Sequence, residues 1–218
     1  MKARGAAAYP TEPPFSAFHL PPFWTILPPW QSTELGESKD RVKIIVDPGA
    51  GFGTGRHPTT QLCMQAIGLM APRTGSGPWR MLDFGSGSGI LSLAAARLGA
   101  TEVDGVEIDE AAIANAETNA KLNGVGQRIR FQKSLEPLLG RYDWVIGNIL
   151  RPVLLDFAEI LVDRLAPGGT LLLSGLVGSD VPSVSVRYAS LLQGRQPEIY
   201  RRDDWRALFW RPAREPSG

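Results

Sequence analysis

Residues 82–90 read Leu-Asp-Phe-Gly-Ser-Gly-Ser-Gly-Ile, an apolar run that passes directly into a turn with three glycines and then into a helix-forming segment. Glycine adopts backbone conformations that other residues avoid, and it lets a ligand approach the main chain closely. In an open α/β sheet, cofactors bind beyond the carboxyl end of a core strand. The stretch therefore predicts a strand, a ligand-binding turn and a helix. A tight turn without a ligand remains the alternative, because glycine spacing alone is weak evidence.

The segments around this turn alternate between short strand-like runs and longer helical ones. Strands are predicted over residues 42–47, 80–84, 102–108, 128–132, 142–147 and 170–175, and helices from residue 58 and over 90–98, 110–123, 152–165 and 182–192. The last two strands, 197–201 and 205–211, are predicted to form a hairpin. We therefore predict an α/β fold, with a mostly parallel sheet, helices on both faces and an antiparallel edge.

The composition of the chain limits which binding partners and which cellular compartment we expect. The chain has 218 residues, a formal net charge of +1 and a single cysteine, Cys63. A nearly neutral chain has no global field that attracts nucleic acid or an anionic membrane, so we expect neither as a direct partner. One cysteine excludes an intramolecular disulfide and a multi-cysteine zinc site, so we expect no metal and a cytoplasmic location. We expect neither a signal peptide nor a membrane span, because no uncharged apolar run approaches ~20 residues.

The first 40 residues differ in composition from the rest. Seven of the 18 prolines lie in the first 30 residues, interleaved with phenylalanine and tryptophan. Proline at this density excludes a regular helix. We predict a proline- and aromatic-rich arm over residues 1–40 that lies across the domain surface as an extended strap, a domain over 41–212 and a tail over 213–218. The alternative for the arm is a partly mobile segment that orders on a partner.

A second signal comes from Glu107, which ends the next predicted strand 22 positions after Gly85. About 20 residues is the spacing at which nucleotide-binding α/β folds place the carboxylate that accepts hydrogen bonds from ribose hydroxyls. A solvated strand end is the alternative for Glu107. The nicotinamide fingerprint G-x-G-x-x-G requires a third glycine where this chain has Ile90. The two signals together favour a nucleoside ligand and disfavour hydride transfer.

A Gly-x-Gly-x-Gly turn followed by an acidic strand end resembles the class I S-adenosylmethionine-dependent methyltransferases. Two further segments are similar to the PrmA family, the methyltransferases of ribosomal large-subunit protein eleven. They are residues 47–60 (Asp-Pro-Gly-Ala-Gly-Phe-Gly-Thr-Gly-Arg-His-Pro-Thr-Thr) and 143–150 (Asp-Trp-Val-Ile-Gly-Asn-Ile-Leu). The similarity runs from about Phe15 to Arg211. It implies a Rossmann-like, mostly parallel seven-stranded sheet with an antiparallel C-terminal hairpin, S-adenosylmethionine as cofactor, and methyl transfer to an amino nitrogen of a protein or peptide, with a ribosomal protein as candidate.

The resemblance and the local chemistry assign roles to individual residues. Asn148 is expected to orient the substrate amine through its amide oxygen. His57 is a candidate proton acceptor, with a loop-structuring role as the favoured alternative. The loop around Phe52 is expected to cover the cofactor, and Thr59 and Thr60 to receive its carboxylate at a helix N-terminus. The expected cofactor contacts are Phe52, Thr54, Thr59, Thr60, Asp83, Gly85, Ser86, Gly87, Gly89, Glu107, Ile108, Ser134 and Asn148.

The sequence departs from the family at several points. Longer members carry an N-terminal domain that recruits the ribosomal protein, and we expect this chain to be a short form without it. Arg56 and Arg151 stand where the family usually has threonine and a small residue. We expect both arginines to line the substrate mouth and to favour an acidic acceptor, with surface charges as the alternative. Two other functions stay open: a small-molecule N- or O-methyltransferase and a noncatalytic cofactor-binding module.

Overall fold

A computed structural model describes residues 15–32, 41–49, 51–72, 75, 77–138 and 140–211. These residues form ten strands and six α-helices. The strands are β1 (Phe18–Leu20), β2 (Trp24–Leu27), β3 (Val42–Ile45), β4 (Arg80–Phe84), β5 (Glu102–Val106), β6 (Ile129–Gln132), β7 (Tyr142–Asn148), β8 (Leu165–Val177), β9 (Glu198–Arg202) and β10 (Trp205–Trp210). The helices are α1 (Pro58–Met70), α2 (Ile90–Leu98), α3 (Glu110–Leu122), α4 (Arg151–Asp156), α5 (Ala158–Asp163) and α6 (Val181–Leu191). Residues 1–14 and 33–40 of the predicted arm, and the predicted tail 213–218, lie outside the described residues.

Seven strands form the central sheet, in the order β6-β5-β4-β7-β8-β10-β9. The pairs from β6 through β8 are parallel, and β10 is antiparallel to both β8 and β9. The predicted α/β class with an antiparallel C-terminal hairpin is confirmed. The chain runs outward from β4 to β6 and then returns to β7 on the other side of β4. The carboxyl ends of β4 and β7 therefore border a crevice, where open α/β sheets bind ligands.

Helices cover both faces of the central sheet, as predicted. Successive residues of a strand point to opposite faces. Met81 of β4 packs in the apolar cluster that contains α1 and α2, whereas Leu82 packs in the cluster that contains α4, α5 and α6. In β7, Ile146 belongs to the first cluster and Val145 to the second. Both strands are therefore buried on both sides, which holds their carboxyl ends in fixed positions.

The elements on either side of the glycine turn begin and end where the sequence predicts. β4 ends at Phe84 and α2 begins at Ile90. Helix α3 begins at Glu110 and is capped by Asp109, whose carboxylate accepts a hydrogen bond from the backbone N–H of Ala111 at 2.9 Å. Such a cap satisfies one of the free N–H groups at a helix start. The local signals in this part of the chain agree with the tertiary fold.

The helix predicted over residues 152–165 is wrong in its continuity and in its end. It is divided into α4 and α5 by Phe157, whose φ of −95° and ψ of 7° are not helical. The Phe157 ring packs against Phe84, with 5.0 Å between ring centroids. Strand β8 then pairs Leu165 with Tyr142, ahead of the strand predicted over residues 170–175. No helix among the described residues has the length and apolar character needed to cross a bilayer.

The described part of the arm belongs to the folded core, so the expectation of a surface strap is wrong here. β1 and β2 form an antiparallel hairpin, and β2 pairs in parallel with β3 in a separate three-stranded sheet. All four residues of β2 are buried, and the Trp24 Nε1–H donates to the Met64 carbonyl at 2.9 Å. The arm is extended, as its prolines require, but it carries two strands that the sequence did not indicate.

Candidate active site

The glycine turn that joins β4 to α2 has positive φ at each of its glycines: 77° at Gly85, 52° at Gly87 and 78° at Gly89. The Gly85 N–H donates to the Val106 carbonyl at 2.8 Å, which ties the turn to the end of β5. A Cβ atom at position 87 would lie 2.4 Å from the Phe52 carbonyl oxygen. Position 87 therefore needs glycine for both its conformation and its contacts.

A cleft with two adjoining cavities opens at the carboxyl ends of the strands. The cavities have volumes of about 370 and 520 Å³ and share Gly85, Glu107 and Ile149 as walls. The first is also lined by Phe52, His57, Thr59, Gly87, Asn148 and Trp205. The second is also lined by Ile108, Ser134, Leu135, Val153 and Phe157. Both cavities are mostly apolar, with few polar groups, which is typical of sites for small organic ligands.

Glu107 lies at the junction of the two cavities, and backbone groups hold its carboxylate. Oε2 accepts from the Gly87 N–H at 3.0 Å, and Oε1 accepts from the N–H groups of Ile108 at 2.8 Å and Asp109 at 3.1 Å. A carboxylate offers about four acceptor positions, so one remains for a further donor. The carboxylate is thus fixed against the glycine turn, as the sequence spacing predicts.

Asn148 lies at the end of β7 on the wall of the first cavity. Its Nδ2 donates to the Thr60 Oγ1 at 3.4 Å, which sets the direction of the amide. Its Oδ1 is buried and has no hydrogen-bond partner among the described residues. Buried acceptors are normally paired, so this oxygen is available to an N–H donor that enters the cavity.

An aromatic row borders the other side of the first cavity. The His57 ring lies between Phe52 and Trp205, with centroid distances of 5.5 and 4.7 Å and edge-on geometry at both contacts. The His57 Nδ1 caps helix α1 by accepting from the Thr59 N–H at 3.4 Å, and it also hydrogen-bonds the Thr59 hydroxyl at 2.8 Å. Because Nδ1 accepts, the neutral ring carries its proton on Nε2. This geometry matches the loop-structuring role.

Asp83 lies behind the glycine turn rather than on a cavity wall. Its Oδ2 accepts from both the N–H and the hydroxyl of Ser92, at 3.0 and 2.7 Å, which anchors the first turn of α2 to β4. Burial raises the pKa of Asp83 to about 6, opposed by the two Ser92 hydrogen bonds and reinforced by the nearby Glu107 charge. Asp83 can therefore act on a ligand only through the turn.

The structure brings together most, but not all, of the residues expected to contact a cofactor. The first cavity collects Phe52, Thr59, Gly85, Gly87, Glu107 and Asn148, and the second adds Ile108 and Ser134. Thr60 is buried and reaches the cavity wall through Asn148. The remaining four lie off both walls: Thr54, Asp83, Ser86 and Gly89. A direct contact of these four with a cofactor stays a prediction.

The placement expected for Arg56 and Arg151 is wrong. The Arg56 guanidinium lies over the Phe18 ring at 4.7 Å and donates to the Ser16 carbonyl at 2.9 Å, so it holds the N-terminal hairpin. The Arg151 Nε pairs with the Asp180 carboxylate at 3.4 Å. Neither arginine is among the residues that line the two cavities of the cleft. Both cations have intramolecular partners, and the prediction of an acidic acceptor loses its basis.

Comparison with known proteins places the chain in a family. A family model described as "Ribosomal protein L11 methyltransferase (PrmA)" matches residues 17–212. The chain belongs to the PrmA family. Curated PrmA relatives named ribosomal protein L11 methyltransferase share about two fifths of the aligned residues. That of Syntrophotalea carbinolica is 44% identical over 187 residues, and that of Halalkalibacterium halodurans is 39% identical over 188 residues.

The chain matches only part of each of these PrmA relatives. The alignments include 85% of this chain but 59% and 58% of the two relatives. The crystal structure of the ribosomal protein L11 methylase from Lactobacillus delbrueckii subsp. bulgaricus superimposes with a TM-score of 0.78 at 32% identity, over 91% of this chain and 100% of that one. An RNA methyltransferase from Salinibacter ruber, solved in complex with S-adenosyl-L-homocysteine, shares the fold with a TM-score of 0.54 at 22% identity.

Several wall residues of this PrmA-family cleft were not predicted as site residues, among them Ile149, Trp205 and Phe157. Ile149 separates the two cavities and follows Asn148 directly, so the motif at residues 143–150 contained a signal for it. Trp205 enters from the start of β10, and its position depends on the fold of the C-terminal hairpin. Phe157 reaches the second cavity because the helix breaks at that residue. Nothing in the local sequence indicated that break.

Proposed function

We propose that this chain is an S-adenosylmethionine-dependent methyltransferase that methylates an amino nitrogen of a protein, and that ribosomal protein L11 is its substrate. The observation that carries the proposal is the position of Asn148. Asn148 lines the cavity that the glycine turn and Glu107 also line, and its amide oxygen has no hydrogen-bond partner among the described residues. An acceptor for a substrate N–H therefore lies beside a nucleoside-type site. Membership of the PrmA family supports both halves of the proposal.

The residues around the cleft fit this cofactor. In the second cavity, Ile108, Leu135 and Phe157 offer apolar surface for an adenine ring. Glu107 has one acceptor position left for a ribose hydroxyl. The N-terminus of α1, with the buried Thr59, offers N–H groups and a positive dipole end to a carboxylate. The glycine turn between these groups has no side chains at positions 85 and 87 to obstruct a ligand.

The chain's own residues position the acceptor. The bound cofactor supplies a methyl group that is already activated by a sulfonium centre, so orientation provides most of the catalysis. Asn148 Oδ1 accepts one N–H of the amine, which turns the nitrogen lone pair toward the cofactor. Ile149, Leu150 and Trp205 make this part of the cavity apolar. An apolar wall lowers the pKa of an ammonium group and favours the neutral nucleophile.

Substrate and compartment are inferred from the relatives' names and from composition. The curated relatives are named for ribosomal protein L11, and the structural neighbour with 32% identity is named for the same substrate. A ribosomal protein substrate and a single cysteine agree with a cytoplasmic location. The apolar character of the acceptor side suits an uncharged amine and does not require an acidic neighbour in the substrate.

Transfer of a labelled methyl group tests the proposal directly. The purified chain is incubated with labelled S-adenosylmethionine and purified ribosomal protein L11, with Asn148→Ala as the matched control. We expect label in the protein band with the native chain, and a loss of about 100-fold in rate with the variant. Label that appears only in the low-mass fraction of a lysate would favour a small-molecule methyltransferase. If neither the protein band nor the low-mass fraction carried label, methyltransferase activity would be contradicted.

A further inference from the structure

The loop of residues 51–57 lies between the glycine turn and the hairpin formed by β1 and β2. On the glycine side, the Ser88 N–H donates to the Phe52 carbonyl at 2.9 Å, and the Ser88 hydroxyl donates to the Gly53 carbonyl at 2.6 Å. Ser88 is itself part of the turn that lines the cleft. A shift of the loop would therefore move the glycine turn, whose residues are expected to contact a cofactor.

On the hairpin side, the loop backbone and one side chain make close contacts. A Cβ atom at Gly55 would lie 2.8 Å from Ile26 Cδ1 and 3.2 Å from Phe18 Cζ, so the main chain packs directly on both strands. The Arg56 guanidinium lies 4.7 Å from the Phe18 ring centroid and 5.5 Å from that of Phe15. Its Nη2 donates to the Ser16 carbonyl at 2.9 Å and to the Ser16 hydroxyl at 3.1 Å.

These contacts matter because they restrain the loop on its hairpin side, opposite the Ser88 hydrogen bonds. Gly53 and Gly55 have φ of 103° and 87°, and glycine loses more backbone freedom on ordering than other residues. Among the described residues, Arg56 forms no salt bridge with a carboxylate, so the two rings and Ser16 are the contacts of its charged group. The next residue, His57, caps α1 and lines the first cavity.

We infer that Arg56 is a positioning residue: it fastens the 51–57 loop to the N-terminal hairpin and so holds Phe52 and His57 in place at the cleft. The consequence for methyl transfer rests on the proposed function. The apparent affinity of a ligand that binds only the ordered loop equals its intrinsic affinity multiplied by the fraction of molecules in which the loop is ordered. Arg56 therefore controls cofactor affinity without touching the cofactor.

The variant Arg56→Met tests this inference, because it keeps the side-chain length and removes the charge and both hydrogen bonds. Amide hydrogen exchange of residues 51–57, measured without cofactor, should become roughly fivefold to tenfold faster. The dissociation constant for S-adenosylmethionine should rise by at most this factor, because it follows the ordered fraction of the loop, whereas kcat at saturating cofactor should change by less than about twofold. The control is Arg97→Met, which removes an exposed arginine near the C-terminal end of α2.

A double-mutant cycle and a conservative variant separate positioning from a general loss of structure. Phe18→Leu should weaken cofactor binding, and combining it with Arg56→Met should add little, because both act on one contact. Arg56→Lys keeps the charge over the ring and should restore part of the affinity. An unchanged exchange rate or an unchanged dissociation constant in Arg56→Met would overturn the inference. If the native chain itself fails to bind S-adenosylmethionine, the proposed function fails, and the exchange rates alone decide the role of Arg56.

Discussion

Polar atoms without partners are the most informative single-residue feature of the cleft. Three buried atoms near the glycine turn, Asp83 Oδ1, Ser86 Oγ and Asn148 Oδ1, have no hydrogen-bond partner among the described residues. Native folds pair most such groups, so each exception requires a physical explanation. Asn148 lines a cavity and can find its partner in a ligand, whereas Asp83 lies behind the turn. The unpaired Asn148 oxygen therefore bears on ligand binding, and the unpaired Asp83 oxygen bears on the stability of the fold.

Glu107→Gln is expected to weaken cofactor binding more than it slows the chemical step. The amide has one acceptor oxygen in place of two, so its NH₂ group must face a backbone N–H or a ribose hydroxyl that needs an acceptor. Loss of one such hydrogen bond corresponds to roughly 10- to 100-fold in the dissociation constant for S-adenosylmethionine. Calorimetry and steady-state kinetics measure the two effects. A large fall in kcat with an unchanged dissociation constant would mean that Glu107 contacts the substrate amine that receives the methyl group, and not the ribose.

Asp83→Asn is expected to remove a pH dependence of stability. The ordinary pKa of the carboxyl is 3.8 and its pKa in the folded chain is about 6. Between these values the folded chain retains a proton that the unfolded chain has released. The free energy of unfolding contributed by Asp83 therefore falls as pH rises from about 4 to about 6, and then stays level. The neutral variant lacks this slope and avoids a cost of up to about 3 kcal/mol at neutral pH.

Urea unfolding of both proteins from about pH 4 to about pH 7.5 checks the Asp83 prediction. The native chain and the variant share all other titrating groups, so the difference in their free energies of unfolding isolates Asp83. The amide oxygen of the variant can still accept from Ser92, which limits the loss of hydrogen bonding. A difference that does not vary with pH would show that Asp83 titrates normally.

At the element scale, the glycine turn and the 51–57 loop form one unit. The Phe52 carbonyl accepts from the Ser88 N–H at 2.9 Å, and it would collide with any side chain at position 87. A side chain introduced at position 87 therefore meets the Phe52 carbonyl first and displaces the loop, before it can contact the cofactor. Obstruction of the cofactor by the side chain itself comes second to that displacement.

Gly87→Ala is expected to weaken S-adenosylmethionine binding by more than about tenfold and to destabilise the fold by about 1–2 kcal/mol. Gly124→Ala is the matched control. Gly124 has φ of 66°, close to the 52° of Gly87, but an added Cβ there would meet nothing within 4 Å. Both variants carry the backbone penalty, and only Gly87→Ala carries the collision. Equal losses of affinity in the two variants would contradict a role for the Phe52 contact.

Elements with local signals could be predicted from the sequence. β4, the glycine turn and α2 follow from residues 82–90, and Asp109 caps α3 as its position suggests. β1 and β2 could not be predicted, because they have three and four residues and depend on distant contacts such as Trp24 with Met64. The break at Phe157 likewise depends on packing against Phe84.

The candidate site divides in the same way. Glu107 and Asn148 could be predicted because carboxyl ends of parallel strands meet at one edge of a sheet, and spacing along the chain identifies those ends. Arg56 and Arg151 could not be placed, because loop residues next to a motif can point toward the cleft or away from it. The Arg56 guanidinium lies over an aromatic ring of the hairpin, and Arg151 forms a salt bridge with Asp180. The spacing of motifs along the chain does not indicate the direction in which a loop side chain points.

At the scale of the whole molecule, the three-stranded sheet and the central sheet share one core. Trp24 and Ile26 of β2, Ile44 of β3 and Ile67 of α1 are all fully buried in the same apolar cluster. The domain boundary predicted after residue 40 runs through this shared core. The boundaries themselves stay a prediction, and truncation tests them.

A chain that begins at residue 41 is expected to lose its cooperative thermal unfolding. Loss of one large buried aromatic residue such as Trp24 already costs about 3–5 kcal/mol, against a total stability of about 5–15 kcal/mol for most domains. A chain that begins at residue 15 keeps the described hairpin and serves as the control. Circular dichroism on heating compares the two. Identical melting curves would show that residues 41–218 fold independently of the hairpin.

The cleft's ligand is the central claim, and titration calorimetry of the native chain with S-adenosylmethionine and, separately, with NAD tests it most directly. We predict a dissociation constant in the micromolar range for S-adenosylmethionine, about −8 kcal/mol of binding free energy, and no measurable heat of binding for NAD. Tight binding of NAD without binding of S-adenosylmethionine would contradict the account.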